Sequence, residues 1–218
     1  AQAAAAAAPV DPTATKKNAK DKAATAAAPK GAGEIRIIGG QWKRTRLPVA
    51  QRPGLRPTPD RVRETLFNWL GQDLSGWRCL DAFAGTGALG LEAASRGAAS
   101  VQLVESDAAL VAQLQVLQAK LQASEVRVQR GDGVAALKQA APASVDLVLL
   151  DPPFDGDLFA PALQAAAKAV AAQGFIYLEA PRAWTDEELA GSGLAVYRHL
   201  KAGAVHAHLL RPVAATTE

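Results

Sequence analysis

The chain has 218 residues, of which 49% are hydrophobic and 21% are charged, and its formal net charge is +3. This length and apolar content are sufficient for one α/β domain with a core and a small extension. No apolar run approaches the length of a membrane span, so a membrane protein is not predicted. The single cysteine, Cys79, has no partner for an internal disulfide, which favours a reducing, cytoplasmic location.

The charge is distributed unevenly along the chain. Residues 31–65 carry eight Lys or Arg and three acidic residues, whereas the sequence after residue 65 carries eleven basic and sixteen acidic residues. A basic N-terminal segment on an acidic domain indicates a polyanionic partner, most simply nucleic acid. The candidate phosphate-binding residues are Lys43, Arg44, Arg46, Arg56, Arg61 and Arg63. Solvated helix charges are the alternative interpretation for any single arginine.

The first part of the chain is predicted to contain a tail, a hairpin and a helix. Residues 1–33 are rich in Ala, Pro, Lys and Thr, which is typical of a disordered tail. Residues 34–49 are predicted to form two short strands around a turn at Gly39-Gly40. Trp42 is suited to stack on a base or to pack under the hairpin, and packing is favoured. A helix capped by Thr58 or Asp60 follows. Its predicted apolar face consists of Val62, Leu66, Trp69 and Leu70.

A strand, a glycine-rich turn and a helix then follow in the order of a nucleotide-binding unit. The strand is predicted at 78–83, and Gly85, Gly87 and Gly90 have the G-x-G-x-x-G spacing directly after it. Such glycines let a ligand approach the backbone, and the free N–H groups of the helix start attract an anion. The second strand, 101–105, ends in Glu105, which is suited to accept the hydroxyls of a ribose. The pattern predicts a cofactor that contains a nucleoside.

The remaining elements continue the α/β alternation. The predicted elements are a helix at 107–121, a strand at 126–130, a helix at 158–172, a strand at 174–179, a short helix at 184–190 and a hairpin formed by 194–200 and 205–210. Asp132, in the loop Gly131-Asp132-Gly133, is suited either to accept from an adenine amino group or to cap a helix. His199, His206 and His208 lie on the hairpin without Cys or acidic neighbours at ligand spacing, so surface or packing histidines rather than a metal site are predicted.

The short motif DPPF follows the most apolar strand of the chain. Residues 145–150 lack polar alternation, which is typical of a central parallel strand, and Asp151-Pro152-Pro153-Phe154 ends it abruptly. Ligands of open α/β sheets bind at such strand ends. The acceptors of Asp151 and a proline carbonyl, next to the ring of Phe154, suit a nucleobase with an exocyclic NH2 group. A strand that merely ends in a Pro-Pro turn is the alternative interpretation.

Two classes of enzyme compete for the glycine-rich turn. A nicotinamide-dependent oxidoreductase would bind pyrophosphate there, whereas a methyltransferase would bind the methionine end of S-adenosyl-L-methionine. Asp81 favours the methyltransferase, because its carboxylate attracts an ammonium group and repels a pyrophosphate. A basic RNA-binding module without catalysis would not need the turn. The residues thus predict a methyltransferase for a base amine, and adenine N6 or cytosine N4 in DNA or RNA remain open as targets.

The sequence also resembles a known family. The segments RIIGGQWKRTRLPV, GLRPTPDRVRETLFNWL, LDAFAGTGALGLEA and LLDPPF, spread over residues 35–210, resemble the RsmD family of bacterial 16S ribosomal RNA guanine-N2 methyltransferases. The resemblance implies a Rossmann-like class I methyltransferase sheet, mostly parallel, with a closing antiparallel hairpin and a small N-terminal hairpin-plus-helix extension.

The resemblance also implies a role for individual residues. S-adenosyl-L-methionine would be held by Thr58, Asp81, Phe83, Gly85, Thr86, Gly87, Glu105, Asp132 and Gly133. Asp151 and the Pro152 carbonyl would bind the guanine N2 amine beside Pro153, with Phe154 stacked on the base. The implied partner is 16S ribosomal RNA, free or within an assembling small-subunit particle, and no metal is required.

These interpretations divide the chain into four parts. They are a tail (1–33), a basic hairpin and helix that contact RNA (34–72), a methyltransferase domain (73–212) and a C-terminal tail (213–218).

Overall fold

A computed structural model describes residues 33–49, 52, 55–154 and 156–214. The predicted disordered tail, apart from Gly33, lies outside the described residues, as do residues 215–218 of the predicted C-terminal tail. The described strands are β1 (Glu34–Arg36), β2 (Arg46–Pro48), β3 (Arg78–Asp81), β4 (Ser100–Glu105), β5 (Val126–Arg130), β6 (Val145–Leu150), β7 (Val170–Ala180), β8 (Leu194–Ala202) and β9 (Val205–Pro212). The helices are α1 (Asp60–Trp69), α2 (Ala88–Ser95), α3 (Ala108–Leu121), α4 (Gly133–Gln139), α5 (Phe159–Ala169) and α6 (Asp186–Ala190).

Seven strands form one mixed sheet in the order β5-β4-β3-β6-β7-β9-β8. Strands β3 to β7 are parallel to their neighbours, and the hairpin of β8 and β9 joins β7 in antiparallel orientation. The order reverses at β3, where the chain crosses from β5 back to β6. Ligands of doubly wound sheets bind at such a switch point. The predicted fold class, a mostly parallel Rossmann-like sheet with a closing hairpin, is confirmed.

The central position of β6 follows from its composition. Leu147 and Leu149 contact the core on one face of the sheet, together with α1, α2 and α3. Val148 and Leu150 contact the core on the other face, together with α4, α5 and α6. Because both faces are covered by helices, apolar residues occupy consecutive positions, as predicted for a central parallel strand.

Several element bounds differ from the prediction. The predicted helix at 158–172 ends at Ala169, because residues 170–172 already belong to β7, whose pairing with β6 shifts register after Val145. Helix α6 begins at Asp186, where the side chain of Thr185 caps it by accepting from the Glu188 N–H. Helix α4 was not predicted.

The N-terminal hairpin is not closed by a tight Gly39-Gly40 turn, which corrects the prediction. The two three-residue strands are joined by a nine-residue connection, residues 37–45. Gly40 is required for packing instead, because a Cβ atom there would lie 1.9 Å from the Ser95 carbonyl oxygen at the end of α2. The Gln41 N–H donates to that same carbonyl at 2.8 Å.

Helix α1 presents the predicted apolar face to the core, with Val62, Leu66 and Leu70 buried and Trp69 half-buried. Its N-cap is Pro59, not Thr58 or Asp60, and no side chain caps it. Trp42 is partly buried against the same core, as predicted.

Glu92 of α2 forms the centre of a buried charge cluster, the Glu92 cluster, made of Glu92, Arg63 and Arg96. Glu92 is fully buried and accepts from Arg63 at 3.3 Å and from Arg96 at 3.0 Å. It also accepts from the backbone N–H groups of Ile38 and Gly39. The prediction that Arg63 holds a phosphate is wrong, because the side chain is only 1% exposed and its donors are used within the protein.

Two smaller expectations concern Cys79 and membranes. Cys79 is buried in β3, and burial raises the pKa of its thiol to about 12, which makes it an unreactive core residue. Within the part of the chain that the structure describes, none of the helices has the length and apolar composition that crossing a bilayer needs.

Candidate active site

Four acidic side chains meet at the carboxyl edge of the sheet. Asp81 ends β3, Glu105 ends β4, Asp151 follows β6 and Glu179 lies near the end of β7. Because these strands are parallel, their carboxyl ends lie at the same edge of the sheet. We use the name carboxylate cluster for Asp81, Asp151 and Glu179. Burial, and then neighbouring acids that include Glu179, raise the pKa values of Asp81 and Asp151.

A small pocket opens between the glycine-rich turn and the segment that precedes α1. Residues from three parts of the chain line it: Leu55, Arg56, Pro57, Thr58, Ala84, Gly85, Thr86, Ala88, Leu89 and Asp151. The structure thus brings the predicted site residues Thr58, Gly85, Thr86 and Asp151 to one cavity. Residues 55–58 form a strap across this cavity, and the exposed Arg56 lies on the strap.

Asp81 is a buried carboxylate without a complete set of partners. It is 1% exposed, and its Oδ1 atom has no hydrogen-bond partner among the described residues. Burial raises the pKa of Asp81 to about 7, although the backbone N–H groups of Gly90 and Phe83 stabilise its ionised form. A buried unpaired acceptor is costly, so this atom fits a cationic or donor group of a ligand.

The glycine-rich turn is held against Glu105. The carboxylate accepts from the Gly85 N–H at 3.0 Å and, with its second oxygen, from the Asp107 N–H at 2.8 Å. Gly90 allows α2 to approach the sheet, because a Cβ atom there would lie 2.2 Å from Leu103 Cδ2. The buried Thr86 hydroxyl accepts from the Ala88 N–H at the start of α2.

Asp151 lies next to Glu179, because the preceding residues, Leu150 and Leu178, are paired in the parallel register of β6 and β7. Glu179 Oε1 accepts from the Thr58 hydroxyl at 2.5 Å and from the Tyr177 hydroxyl at 2.7 Å. Burial, followed by the negative charge of Glu179, raises the pKa of Asp151 well above its usual range. Neither Glu179 nor Tyr177 was predicted to be a site residue. The available signal was an acid at the carboxyl end of the strand that follows the DPPF strand.

The DPPF motif continues into a row of aromatic rings. Pro152 is buried, whereas Pro153 and Phe154 are exposed, the latter by 43%. The Phe154 ring lies 6.4 Å from Phe159, whose ring stacks at 6.1 Å on Trp184. Phe159 and Trp184 are partly buried against the core, so Phe154 is the ring of this row that offers an exposed planar surface to a base. Phe159 and Trp184 were not among the predicted site residues.

Asp132, in the loop after β5, has one of the two roles predicted for it, that of a helix cap. Its side chain accepts from the Ala135 N–H at 2.9 Å and is the N-cap of α4. Gly133 packs closely beneath β3, because a Cβ atom there would lie 2.1 Å from the Ala82 carbonyl oxygen and 3.1 Å from the Phe83 ring. The loop therefore borders the half-buried ring of Phe83. Gly87, in the glycine-rich turn, is the N-cap of α2.

Apart from the buried Arg63, the candidate RNA-binding residues are exposed, but they lie on different elements. Arg46 is on β2 and forms a long ion pair with Glu34 at 3.7 Å. Arg61 is on α1, and Lys43 and Arg44 are in the connection between β1 and β2. Arg56 is the one of these five residues that lines the pocket.

The three histidines pack against one another, as predicted. His208 is fully buried, accepts from the Trp184 N–H through Nε2, and hydrogen-bonds the Leu178 carbonyl through Nδ1. Burial lowers the pKa of His208 to about 4, so its ring is neutral. His199 and His206 contact each other at 2.9 Å. Among the described residues, no group of three or more His, Cys, Asp or Glu side chains is arranged to hold a metal ion.

Comparisons with known proteins agree with this architecture. A curated relative, "Ribosomal RNA small subunit methyltransferase D" of Escherichia coli (strain K12), is 52% identical over 124 residues, which cover 57% of this chain and 62% of the relative. The relative of the same name from Haemophilus influenzae is 45% identical over 134 residues, covering 60% of this chain and 69% of the relative. The match to the first of these relatives therefore spans less than two thirds of its length.

Solved structures match over a longer stretch. The "putative methyltransferase yhhF" from Escherichia coli superposes with a TM-score of 0.72 and 36% identity, covering 83% of this chain and 99% of that chain. The "putative methylase HI0767" from Haemophilus influenzae superposes with a TM-score of 0.68 and 32% identity, covering 84% and 100%. The family model described as "Conserved hypothetical protein 95" matches residues 35–211. The chain therefore belongs to the Conserved hypothetical protein 95 family, the RsmD family that its sequence motifs resemble.

Proposed function

We propose that the chain is an S-adenosyl-L-methionine-dependent methyltransferase that modifies the exocyclic N2 amine of a guanine in 16S ribosomal RNA. The names of its relatives state the small-subunit ribosomal RNA class. The observation that carries the proposal is the orphaned Oδ1 atom of Asp81 beneath the glycine-rich turn. An unpaired buried carboxylate fits the ammonium group of a methionine moiety and opposes the pyrophosphate of a nicotinamide cofactor.

The cofactor would lie along the carboxyl edge of β3 and β4. Asp81 would bind the ammonium group, while Phe83, Gly85, Thr86 and Gly87 would enclose the methionine moiety. Glu105 is already oriented by the Gly85 N–H, and its remaining lone pairs would accept the ribose hydroxyls. When bound, the cofactor supplies an activated methyl group and two positive charges.

The adenine end of the cofactor would extend towards the loop after β5. Asp132 and Gly133 border that end, beside the half-buried Phe83 ring. Thr58 would close the pocket from above, because the strap that carries it crosses the cavity.

The target base would enter on the side of the DPPF motif. Asp151 and the Pro152 carbonyl would accept hydrogen bonds from the N2 amine, and Pro153 has no N–H to compete with them. Phe154 would stack on the guanine plane. These acceptors orient the nitrogen lone pair towards the methyl group and stabilise the positive charge that develops on nitrogen. Because the pocket is narrow, the base must be unpaired or flipped out.

The RNA backbone would contact the exposed basic residues of segment 34–72. Arg56, on the strap beside the pocket, would bind a phosphate near the target base. Lys43, Arg44, Arg46 and Arg61 would add contacts that carry no base information. The target would be free RNA or RNA in an assembling small-subunit particle. The assay described next compares these two substrates directly.

The function is tested by incubating the purified protein with methyl-labelled S-adenosyl-L-methionine and either 16S RNA or small-subunit particles that lack this modification. We expect label in N2-methylguanosine, as identified by nucleoside mass spectrometry. Label in N6-methyladenosine or N4-methylcytidine would replace the guanine assignment. No label in any base with either substrate, although the protein binds the cofactor, would contradict the proposed function.

The RNA interface is tested by reversing three arginines. In the triple variant Arg44→Glu, Arg46→Glu, Arg56→Glu, we expect weaker RNA binding and a smaller slope of log Kd against log salt, because fewer counterions are released. The matched control is Lys120→Glu, Arg127→Glu, Lys168→Glu, which changes the same charge at exposed residues on other elements. Equal slopes in the two variants would remove the basic segment from the interface.

A further inference from the structure

The strap over the pocket is fixed to the rest of the protein at its last residue, Thr58. The Thr58 hydroxyl donates to Glu179 Oε1 at 2.5 Å, and the Thr58 carbonyl accepts from Arg63 Nε at 3.1 Å. Within the described part of the chain, these are the two hydrogen bonds that join residues 55–58 to β7 or α1. The Leu55 N–H donates only locally, to the Arg52 carbonyl at 3.1 Å. The position of the strap therefore depends on how Thr58 is held.

Glu179 is suited to hold Thr58 in one place. It is buried near the end of β7, and the same Oε1 atom accepts from the buried Tyr177 hydroxyl at 2.7 Å. Burial, followed by the negative charge of Glu179, raises the pKa of Tyr177 well above its usual range, so the phenol remains a donor. A second donor restricts the orientation of the carboxylate, and a hydrogen bond to a carboxylate is stronger than one between neutral groups.

The strap that Thr58 ends packs directly on the glycine-rich turn. A Cβ atom at Gly85 would lie 3.3 Å from Leu55 Cδ1, so the Leu55 side chain covers the backbone of the turn. The pocket lies between these two segments, with Pro57 on one wall and Thr86 on the other. The separation of the strap from the turn therefore determines the shape of the proposed cofactor pocket.

The two bonds of Thr58 connect the strap to different supports. Arg63, on α1, contacts the carbonyl at the end of the strap, so this bond fixes the start of the helix. Glu179 lies on β7, a strand that is paired on both sides, with β6 and β9. The same sheet carries Asp81 and Glu105, the proposed ligands of the cofactor. The bond from the Thr58 hydroxyl therefore sets the position of the strap relative to these two acids.

Building on the proposed function, we propose that Glu179 is a positioning residue for the cofactor pocket, which holds the strap in place through the Thr58 hydroxyl before the cofactor binds. Glu179 itself contacts neither the cofactor nor the target base in this scheme. A segment without regular secondary structure loses conformational entropy when a ligand has to order it, and this cost weakens binding. Because the strap is already held, the fraction of molecules with a formed pocket is high, and the apparent Kd stays close to the intrinsic one.

The inference is tested first by the binding of S-adenosylhomocysteine, measured by calorimetry. Thr58→Val removes the hydroxyl at nearly constant size, and we expect Kd to rise about tenfold, because the strap loses its hydrogen bond to the carboxylate. Thr58→Ser keeps a hydroxyl donor and should recover most of the affinity. The matched control is Thr65→Val on α1, whose hydroxyl donates within the helix to the Arg61 carbonyl at 2.9 Å, and its Kd should not change.

A double-mutant cycle with Glu179→Leu tests whether Thr58 acts through Glu179. Leucine is similar in size to glutamate but accepts no hydrogen bond. In the Glu179→Leu protein, Thr58→Val should therefore raise Kd by less than about twofold. An equal rise in both backgrounds would show that Thr58 contacts the cofactor directly, and would overturn the inference. If Glu179→Leu does not fold, Tyr177→Phe is added to all four proteins, so that leucine leaves no phenol hydroxyl unpaired.

The position of the strap is also tested in the ligand-free protein. Spin labels at Arg56→Cys on the strap and Lys120→Cys on α3, both exposed positions, report the distance between the two elements, and the buried Cys79 thiol does not react. We expect one narrow distance distribution, which becomes broader when Thr58→Val is added and stays narrow with Thr65→Val. A distribution that Thr58→Val does not broaden, or one that is broad from the start, would overturn the inference.

The outcomes separate the inference from the proposed function. In methylation assays Thr58→Val should raise KM for S-adenosyl-L-methionine more than it lowers kcat. A wild type that methylates RNA, with a Thr58→Val variant whose kcat falls while its KM and Kd stay unchanged, would overturn the inference alone. A wild type that neither binds the cofactor nor methylates RNA would contradict the proposed function, while the spin-label distances would still decide whether Thr58 holds the strap.

Discussion

The Glu92 cluster and the carboxylate cluster both bury ionisable groups, but their charges are arranged in opposite ways. In the Glu92 cluster one carboxylate contacts two guanidinium groups and two backbone N–H groups. In the carboxylate cluster three acids lie together without a described cation in hydrogen-bond contact, and one oxygen of Asp81 is unpaired. The first arrangement is balanced within the protein, whereas the second is completed only by a ligand.

The physical consequence is a difference in what each cluster stabilises. Charges that are paired and hydrogen-bonded hold the hairpin and α1 to α2. Burial, and then the charges of neighbouring acids, raise the pKa values of Asp81 and Asp151. A bound cation would offset this cost to the free protein. The predictions below test whether the clusters differ in this way.

The largest expected effect is the loss of methyl transfer in Asp151→Ala. We expect the rate to fall by about 1,000-fold or more, because the acceptor that orients the amine and takes its proton is removed. Binding of S-adenosylhomocysteine, measured by calorimetry, should change by only a few-fold. Turnover like that of the wild type would contradict the assignment, and a rate loss accompanied by unfolding would leave Asp151 with a structural role.

The next effect is on stability, in Glu92→Gln. Removing this carboxylate leaves the guanidinium groups of Arg63 and Arg96 buried without their shared partner, so we expect unfolding to become easier by about 3–5 kcal/mol. Urea denaturation followed by circular dichroism measures the change. Glu187→Gln is the exposed control. A Glu92→Gln variant as stable as the wild type would remove the contrast between the clusters.

A smaller effect of opposite sign is expected for Asp81→Asn. The folded pKa of Asp81 is about 7 and its unfolded value is near 3.8, so the folded state binds the proton more tightly between these values. Stability of the ligand-free wild type should therefore fall as pH rises from about 4 to 7.

In Asp81→Asn this fall should be reduced, and the variant should exceed the wild type by on the order of 2 kcal/mol at pH 8. Thermal unfolding at several pH values measures both slopes, and parallel slopes would contradict the prediction. Cofactor affinity, in contrast, should decrease.

The smallest effect is expected for Arg36→Gln. Its guanidinium forms an exposed ion pair with Asp60 at 3.1 Å, directly beside Arg63. Exposed pairs contribute little, so we expect a change below about 1 kcal/mol in the unfolding free energy. A change as large as that of Glu92→Gln would show that burial does not distinguish the two ion pairs.

Much of the architecture followed from local patterns. Three features could be predicted because each is a pattern of residue types at regular spacing. They are the glycine spacing after β3, the run of apolar residues in β6 and the helical spacing of Val62 and Leu66. Elements set by non-local packing were predicted less well. Gly40 was interpreted as a turn residue because its close approach to Ser95, 55 positions later, leaves no local pattern.

The same distinction applies to the charged residues. Asp81 and Asp151 were found because each follows a strand directly, and parallel strands end at one edge. Arg63 was misassigned because its distance from the apolar stripe suggested exposure, although the hairpin covers it. Glu179 received no role because its partner Thr58 lies on the strap, 121 positions earlier in the sequence.

Apart from α4, the sequence by itself determined the succession of strands and helices along the chain, the cofactor turn and the family, because these depend on residue types at fixed spacing. Only the tertiary structure decided which buried charges are paired and which are not. Ion pairing depends on the distance between groups that are remote in sequence, as with Glu92 and Arg63, or Glu179 and Thr58. In this protein, the presence of a cationic side chain within ion-pairing distance distinguishes Glu92, which stabilises the fold, from the carboxylates proposed to bind the ligands.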